Sequence, residues 1–168
     1  MLCVIAIIDA RSREYLFTLQ QLSERFGIPA KKLYGHITLA TYIADDDRIF
    51  AASCKEIISA YSSFTVYYEK IEVLNTTSII AASPRNENTL FNIHNDIATQ
   101  WGASMDNWTN NELWKPHTTL LFSTQSDLQV IADAMRKEFT PFFAQVKRIE
   151  FSQVTNNKYT IVDHIDLS

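Results

Sequence analysis

Two short strings of one pattern, each opening an apolar run, constrain the fold of this chain more than any other feature. His36-Ile37-Thr38-Leu39 and His117-Thr118-Thr119-Leu120 both read histidine, any residue, threonine, leucine. Runs of this kind predict β-strands, in which successive side chains point to opposite faces of the sheet. Each histidine therefore shares a face with the threonine two residues later, while the other two residues turn to the core. We predict two matched His/Thr pairs on one functional face.

The repetition extends beyond these two strings. Residues 5–11 are echoed by residues 79–85, each a strand-like run that ends in arginine before a helical pattern. Lys70-Ile71-Glu72-Val73 is echoed by Arg148-Ile149-Glu150-Phe151. The echoes keep one order and a separation of roughly 80 residues. We therefore predict a duplicated chain in which an approximate twofold axis brings the two His/Thr strands to face each other.

Hydrophobic periodicity predicts that strands and helices alternate along the chain. The predicted strands span residues 2–9, 36–43, 64–74, 77–83, 117–122, 142–154 and 158–167. The predicted helices carry apolar stripes at helical spacing, which are Tyr15, Leu19, Leu22 and Phe26; Ile49, Ser53, Ile57 and Tyr61; Leu90, His94, Ile97 and Trp101; and Leu128, Ile131, Met135 and Phe139. Gly27 and Pro29 end the first helix, and the turn Thr155-Asn156-Asn157 joins the last two strands.

Length and composition predict a single domain. With 168 residues, 46% of them apolar, the chain can bury a sizeable core, and no Pro/Gly/Ser-rich linker divides it. We predict one domain over residues 1–168, with two pseudo-symmetric lobes that cover roughly residues 1–75 and 76–168. A monomer is expected.

The apolar start of the chain and its two cysteines bear on its location. Leu2 to Ile8 is shorter than the apolar region of a secretion signal, and no run approaches the ~20 residues of a membrane span. Cys3 and Cys54 lie in apolar patterns, which favours buried free thiols over a disulfide or a reactive site. We expect a cytoplasmic protein with no membrane partner.

Two histidines, each with a hydroxyl two residues later, suit acid–base chemistry on a phosphate. Imidazole titrates near pH 6.5, so one ring can accept a proton while its charged partner donates one. Threonine hydroxyls and nearby backbone amides can hold the non-bridging oxygens of the phosphate. The combination predicts phosphoester cleavage or transfer without a metal, with His36 and His117 as the acid–base pair and Thr38 and Thr119 as phosphate-binding residues.

Other chemistries lack their residues in this sequence. A zinc hydrolase needs three or four ligands at suitable spacing, and Cys3 and Cys54 lie far from both strings. Only three glycines are present and none forms a phosphate-binding loop. No recognisable motif offers the lysine nucleophile of an ATP-dependent ligase. We therefore expect no metal and no cofactor.

The paired strings in a duplicated chain of this length resemble the 2H phosphoesterase superfamily, which includes 2'-5' RNA ligase-like proteins and cyclic phosphodiesterases. The resemblance covers essentially the whole chain. It implies a bilobal α+β fold in which two antiparallel sheets line a central cleft, with helices outside. It also implies that His36 and His117 are catalytic, that Thr38 and Thr119 bind phosphate, and that a 2',3'-cyclic or related cyclic phosphate is opened to a 2'-phosphate product.

The chain departs from its relatives in its basic residues. Several RNA-handling members carry an arginine shortly after a motif, whereas here Ala40-Thr41 and Leu121-Phe122 follow. The nearby basic residues are Lys31, Lys32 and Lys115. With a net charge of −4 the global field of the protein does not attract a long polyanion, and binding of a polynucleotide at a local basic rim stays open as the alternative. A small nucleotide or an RNA end with a cyclic phosphate is the expected partner, and DNA is not.

Aromatic residues near the strings are candidates for base contact. Tyr34 and Trp114 each lie just upstream of a motif histidine and could stack on a base, or they could simply cover the junction of the lobes. Lys115 is a third candidate for substrate contact. The long polar segment 102–116 is typical of loops that border a site. His94, on a helical stripe, is expected in the core or at an interface, and His164 at the surface or between the lobes.

Two functions besides cyclic-phosphate cleavage stay open. The chain could be a nucleotide- or RNA-end-binding module with little turnover, although pure binding does not need a matched acid and base. It could also join RNA ends as a 2'-5' RNA ligase. Measured turnover separates the binding module from an enzyme.

Overall fold

The computed structural model describes residues 1–74, 78–85, 88–110, 114–124, 128–155 and 158–168. The strands are β1 (Leu2–Ile8), β2 (His36–Tyr42), β3 (Phe64–Val73), β4 (Ile79–Pro84), β5 (Thr118–Phe122), β6 (Phe142–Thr155) and β7 (Lys158–Asp166). The helices are α1 (Ala10–Gln20), α2 (Asp47–Ile58), α3 (Asn88–Trp101) and α4 (Leu128–Glu138), with short 3-10 turns over Gln21–Phe26 and Gly102–Ser104. The predicted α+β class and element order are confirmed. Asn156 and Asn157 of the predicted turn, and residues 111–113 of the predicted polar loop, lie outside the described residues.

The described strands form one antiparallel sheet in the order β2-β1-β6-β3-β4-β5, with β7 also paired to β6. The long strand β6 joins its two halves, because Phe142–Val146 pair with β3 while Val146–Gln153 pair with β1. The prediction of two separate sheets is corrected accordingly. The two predicted sheets are halves of one hydrogen-bonded sheet, since a single strand belongs to both.

Each half of the sheet takes strands from both halves of the sequence. One half has the order β2-β1-β6 and the other the matching order β5-β4-β3. In each, the strand that carries a His-x-Thr string is at the edge, and the third strand comes from the other repeat. A lobe boundary near residue 75 remains a prediction about the sequence repeats, but it does not separate the strands in space.

β-Bulges occur at matching positions in the two halves. Leu39 is an extra residue where β2 pairs with β1, and Leu120 is an extra residue where β5 pairs with β4. A second pair of extra residues is Glu69 on β3 and Lys147 on β6. Because a bulge shifts the alternation of faces, side chains beyond it point to the face opposite the one that simple alternation predicts. The bulges thus set which side chains of each strand face the site.

The helices and one face of the sheet share a continuous cluster of buried apolar side chains. The predicted stripes of α3 and α4 contribute Leu90, Ile97, Ile131 and Met135 to it, as expected. In α1 the predicted Phe26 is instead 39% exposed. The reason is that the helix tightens into a 3-10 turn, whose three residues per turn rotate this side chain out of the α-helical stripe.

The stripe predicted for α2 is wrong by one position. Phe50, Cys54 and Ile58 are fully buried, whereas Ile49 is 60% exposed. Both stripes have the same four-residue spacing, and packing of the aromatic ring decides between them: Phe50 stacks on Tyr42 with ring centroids 4.4 Å apart. Burial also raises the pKa of the Cys54 thiol to about 12.

Candidate active site

The two motif strands lie at opposite ends of the strand order, yet they are in contact. The Thr118 hydroxyl on β5 donates a hydrogen bond to the main-chain oxygen of His36 on β2, at 3.0 Å. The indole Nε1 of Trp114 donates to the main-chain oxygen of Thr38, at 2.9 Å. Contact between the first and last strands requires the sheet to curve back on itself. This curvature brings the two predicted His/Thr pairs to one site.

Both motif histidines are oriented in the same way. Nδ1 of His36 lies 2.5 Å from the main-chain oxygen of Tyr34, and Nδ1 of His117 lies 2.8 Å from that of Lys115. A carbonyl oxygen only accepts, so Nδ1 carries the hydrogen in each ring. In the neutral ring this leaves Nε2 as the proton acceptor, and within the described part of the chain neither Nε2 forms a hydrogen bond. Each ring therefore has one nitrogen held and one available for proton transfer.

Desolvation lowers the pKa of both imidazoles below the ordinary value of 6.5. The charge of the neighbouring His117 lowers the pKa of His36 further. The carbonyls that accept from Nδ1 oppose these effects, as do the carboxylates of Glu150 near His36 and Glu72 near His117. At neutral pH the two rings are mainly neutral in the free protein, and a bound anionic phosphate favours protonation of one of them.

A cavity of about 730 Å³ lies beside the motif strands. Thr38 of the first string and His117 of the second both line it, as does Lys115. Three strongly exposed aromatic side chains also line it: Trp108, Phe122 and Tyr159, which are 61%, 65% and 64% exposed. Trp108 belongs to the segment 102–116 that is expected to border a site, whereas Phe122 and Tyr159 have no role predicted from the sequence. His36 and Thr119 are half-buried and are not among its lining residues.

The predicted aromatic contacts differ from each other in the structure. Trp114 is buried, and its ring stacks on His94 with centroids 3.8 Å apart, so that face is not open to a base. Tyr34 is 46% exposed and lines a separate cavity of about 370 Å³ together with Arg13 and Lys32. The guanidinium of Arg13 lies over one face of the Tyr34 ring, 5.3 Å from its centroid. A base could therefore stack only on the other face of Tyr34, and the stacked face of Trp114 is blocked.

Beneath the motifs, the register places a basic and an acidic residue of each inner strand on the site face. Thr38 pairs with Ile5, which pairs with Glu150. In the other half Thr119 pairs with Ala81, which pairs with Glu72. Arg148 and Lys70 lie two residues before these glutamates and face the same side. The similarity of residues 70–73 to residues 148–151 was the sequence signal that could have pointed to these four side chains. Simple alternation of faces along a strand does not show which face they occupy.

The remaining histidines agree with their predicted places. His94 is buried and its Nδ1 donates to the main-chain oxygen of Leu39 at 2.8 Å. His164 is at the surface, 3.7 Å from a carboxylate oxygen of Asp166. Among the described residues no group of three or more His, Cys, Asp or Glu side chains could hold a metal ion. No described helix is long and apolar enough to cross a membrane.

The architecture is shared with solved structures at low sequence identity. Escherichia coli LigT in its apo form superposes with a TM-score of 0.71 and 16% identity, over 99% of this chain and 96% of LigT. The Thermus thermophilus protein TT0787 superposes with a TM-score of 0.74 and 13% identity, over 99% of this chain and 97% of TT0787. LigT complexed with 3'-AMP superposes with a TM-score of 0.66 and 14% identity, over 99% of this chain and 96% of LigT. No curated protein matches the sequence.

The fold is therefore that of the LigT-like proteins. The sequence profile of the 2'-5' RNA ligase superfamily matches residues 10–158, and the chain belongs to this family. This confirms the resemblance drawn from the two His-x-Thr strings.

Proposed function

We propose that the protein is a metal-independent phosphoesterase that opens a cyclic nucleotide phosphate, with proton transfer at Nε2 of His36 and Nε2 of His117. In the opening of a 2',3'-cyclic phosphate, water attacks phosphorus and the bond from phosphorus to the 3' oxygen breaks. One imidazole takes a proton from the water, and the other gives a proton to the leaving oxygen. The product is a 2'-phosphate.

The observation that carries this proposal is the matched orientation of the two rings. Nδ1 of each histidine is held by the carbonyl two residues earlier, so the reactive nitrogen is the same atom in both rings. Thr38 and Thr119 share the site face with their histidines, which suits their hydroxyls to the non-bridging oxygens of the phosphate. A protein that only binds a nucleotide does not need two imidazoles that each keep Nε2 free for proton transfer.

A nucleotide as substrate is supported by the aromatic rim of the cavity. The exposed rings of Trp108, Phe122 and Tyr159 offer stacking surfaces for a base, and Lys115 offers a positive charge to a phosphate. Structures of LigT contain 3'-AMP, ATP and NADP+. A cavity of about 730 Å³ suits a ligand of this size rather than extended RNA.

The test is a product-resolved screen of purified protein. The substrates are 2',3'-cyclic mononucleotides, ADP-ribose 1'',2''-cyclic phosphate, 2'-5'-linked dinucleotides and RNA with a cyclic-phosphate end. We expect ring opening to 2'-phosphate products that persists in EDTA. Saturable binding with no turnover on any substrate would favour the binding module, and net joining of RNA ends would favour a ligase.

A further inference from the structure

Two glutamates occupy equivalent positions beneath the two motifs. Glu150 lies two strands from Thr38, and Glu72 lies two strands from Thr119. Each follows a bulged residue by three positions, Lys147 on β6 and Glu69 on β3. Without these bulges the alternation would turn both carboxylates to the apolar core. The fold therefore aims both of them at the histidine side of the sheet.

Glu150 is connected to His36 through one residue. Glu150 is buried, and the Tyr34 hydroxyl donates to both of its carboxylate oxygens, at 3.2 and 3.0 Å. The main-chain oxygen of the same tyrosine accepts from Nδ1 of His36. The guanidinium of Arg13 lies over the Tyr34 ring, 5.3 Å from its centroid. Displacement of Glu150 would thus release the residue that orients His36.

Among the described residues no such intermediary links Glu72 to His117, and Glu72 acts on that ring by its charge. Its carboxylate pairs with the Lys70 ammonium at 3.1 Å. Burial raises the pKa of Glu72, but the hydrogen bond from Lys70 and the charges of Lys70 and Lys115 outweigh it, so the carboxyl stays ionised at neutral pH. The side chain keeps about a third of its surface exposed. Ionised Glu72 is therefore a fixed negative charge on the His117 side of the site.

We propose that Glu150 and Glu72 are a matched pair of positioning residues, one for each motif histidine, whose charges allow either imidazole to hold a proton inside the desolvated site. Glu150 also orients its histidine through Tyr34. This inference rests on the acid–base function proposed above. The charged and titratable groups around His36 are Arg13, Tyr34, His117, Arg148 and Glu150, and those around His117 are His36, Lys70, Glu72 and Lys115.

The experiment is an NMR titration of the imidazole signals in the wild type and in E150Q, E72Q and the control E138Q. Glu138 is exposed on α4, so E138Q makes the same charge change away from the site. Because a negative charge favours the imidazolium, we expect E150Q to lower the pKa of His36 by about one pH unit and E72Q to lower that of His117 similarly. The control should move neither.

If E150Q shifts only the pKa of His36 and E72Q only that of His117, the proposal is established, whether or not any substrate of the screen is turned over. A lack of turnover would count against the proposed function alone. Equal shifts of both histidines, or none, in the folded variants would overturn it. If E150Q does not fold, E72Q still decides, since its side chain is partly exposed. In an active enzyme the two variants should move opposite limbs of the pH profile of kcat/KM, whereas a purely structural role would lower kcat/KM at every pH.

Discussion

The hydroxyl of Thr118 donates to the main-chain oxygen of His36, 3.0 Å away, and thereby ties one motif strand to the other. Its own oxygen lies 2.5 Å from the hydroxyl of Tyr68, a fully buried residue of β3. Since Thr118 has one hydrogen and gives it to His36, Tyr68 must be the donor to Thr118. The second residue of a His-x-Thr-Leu string thus closes the site, although simple alternation assigns it only to the core.

Thr118→Val should loosen this closure. The substitution keeps the shape but removes the acceptor of the buried Tyr68 hydroxyl and the side-chain donor to the His36 carbonyl, which costs about 1–3 kcal/mol of unfolding free energy. Chemical denaturation measures the loss, and kcat should fall with it because the motif strands separate. Thr118→Ser keeps the hydroxyl and is the matched control; equal stability of the valine and serine variants would show that the bond does not hold the strands.

Replacement of either motif histidine should abolish most turnover. His36→Ala and His117→Ala are each expected to lower kcat by about 10²- to 10⁴-fold, the range for a general acid or base. The double variant should lose less than the product of the two, since the residues act as a unit. Near-full activity in either folded single variant, checked by circular dichroism, would place the site elsewhere.

The two threonines should matter less than the histidines. Thr38→Ala and Thr119→Ala remove one hydrogen-bond donor to the phosphate each, so rates should fall by about 10- to 10³-fold. Thr→Ser variants retain the hydroxyl and should keep most of the rate. Serine variants as slow as the alanine variants would mean that the methyl group and its packing, rather than the donor, is what the site needs.

The pH dependence of kcat/KM should be bell-shaped with its maximum below pH 6.5. Burial lowers the pKa of both His36 and His117 from 6.5, and the midpoint of two lowered values lies below it. Activity should decline above this maximum as the acid loses its proton. Initial rates at low substrate concentration across pH 4.5–8.5, roughly the range of imidazole titration, give the profile. A maximum above pH 7 would show that the free site is less desolvated than its geometry implies.

His94 should make stability depend on pH. Burial lowers its pKa, and Nε2 is buried with no partner among the described residues. The unfolded chain therefore binds more protons just below pH 6.5, and stability falls as the pH drops through that window, by at most about 1.4 kcal/mol per pH unit for each such histidine. His94→Gln should flatten the fall measured by urea denaturation between pH 7.5 and 5.5. An unchanged slope in His94→Gln would assign the dependence to His36 and His117.

The sequence by itself determined the strands, the helices and the face that each motif residue occupies, because these follow from local periodicity. It placed His36 with Thr38 and His117 with Thr119, and it identified the family. The repeat of Lys70-Ile71-Glu72 and Arg148-Ile149-Glu150 was also visible. Local patterns carry this information because they depend only on the spacing of side chains along one element.

Only the tertiary structure decided how these pieces meet. β3 of the first repeat pairs with β4 of the second, and β6 of the second repeat pairs with β1 of the first. β2 also contacts β5. These contacts join segments that are distant in sequence, and no local period encodes them. The bulges at Glu69 and Lys147 turned Glu72 and Glu150 toward the histidines, because one unpaired residue reverses every later face. Trp114 likewise is not exposed to solvent, because its ring stacks on His94. His94 lies on a helix distant in sequence, so the local pattern around Trp114 does not predict this contact.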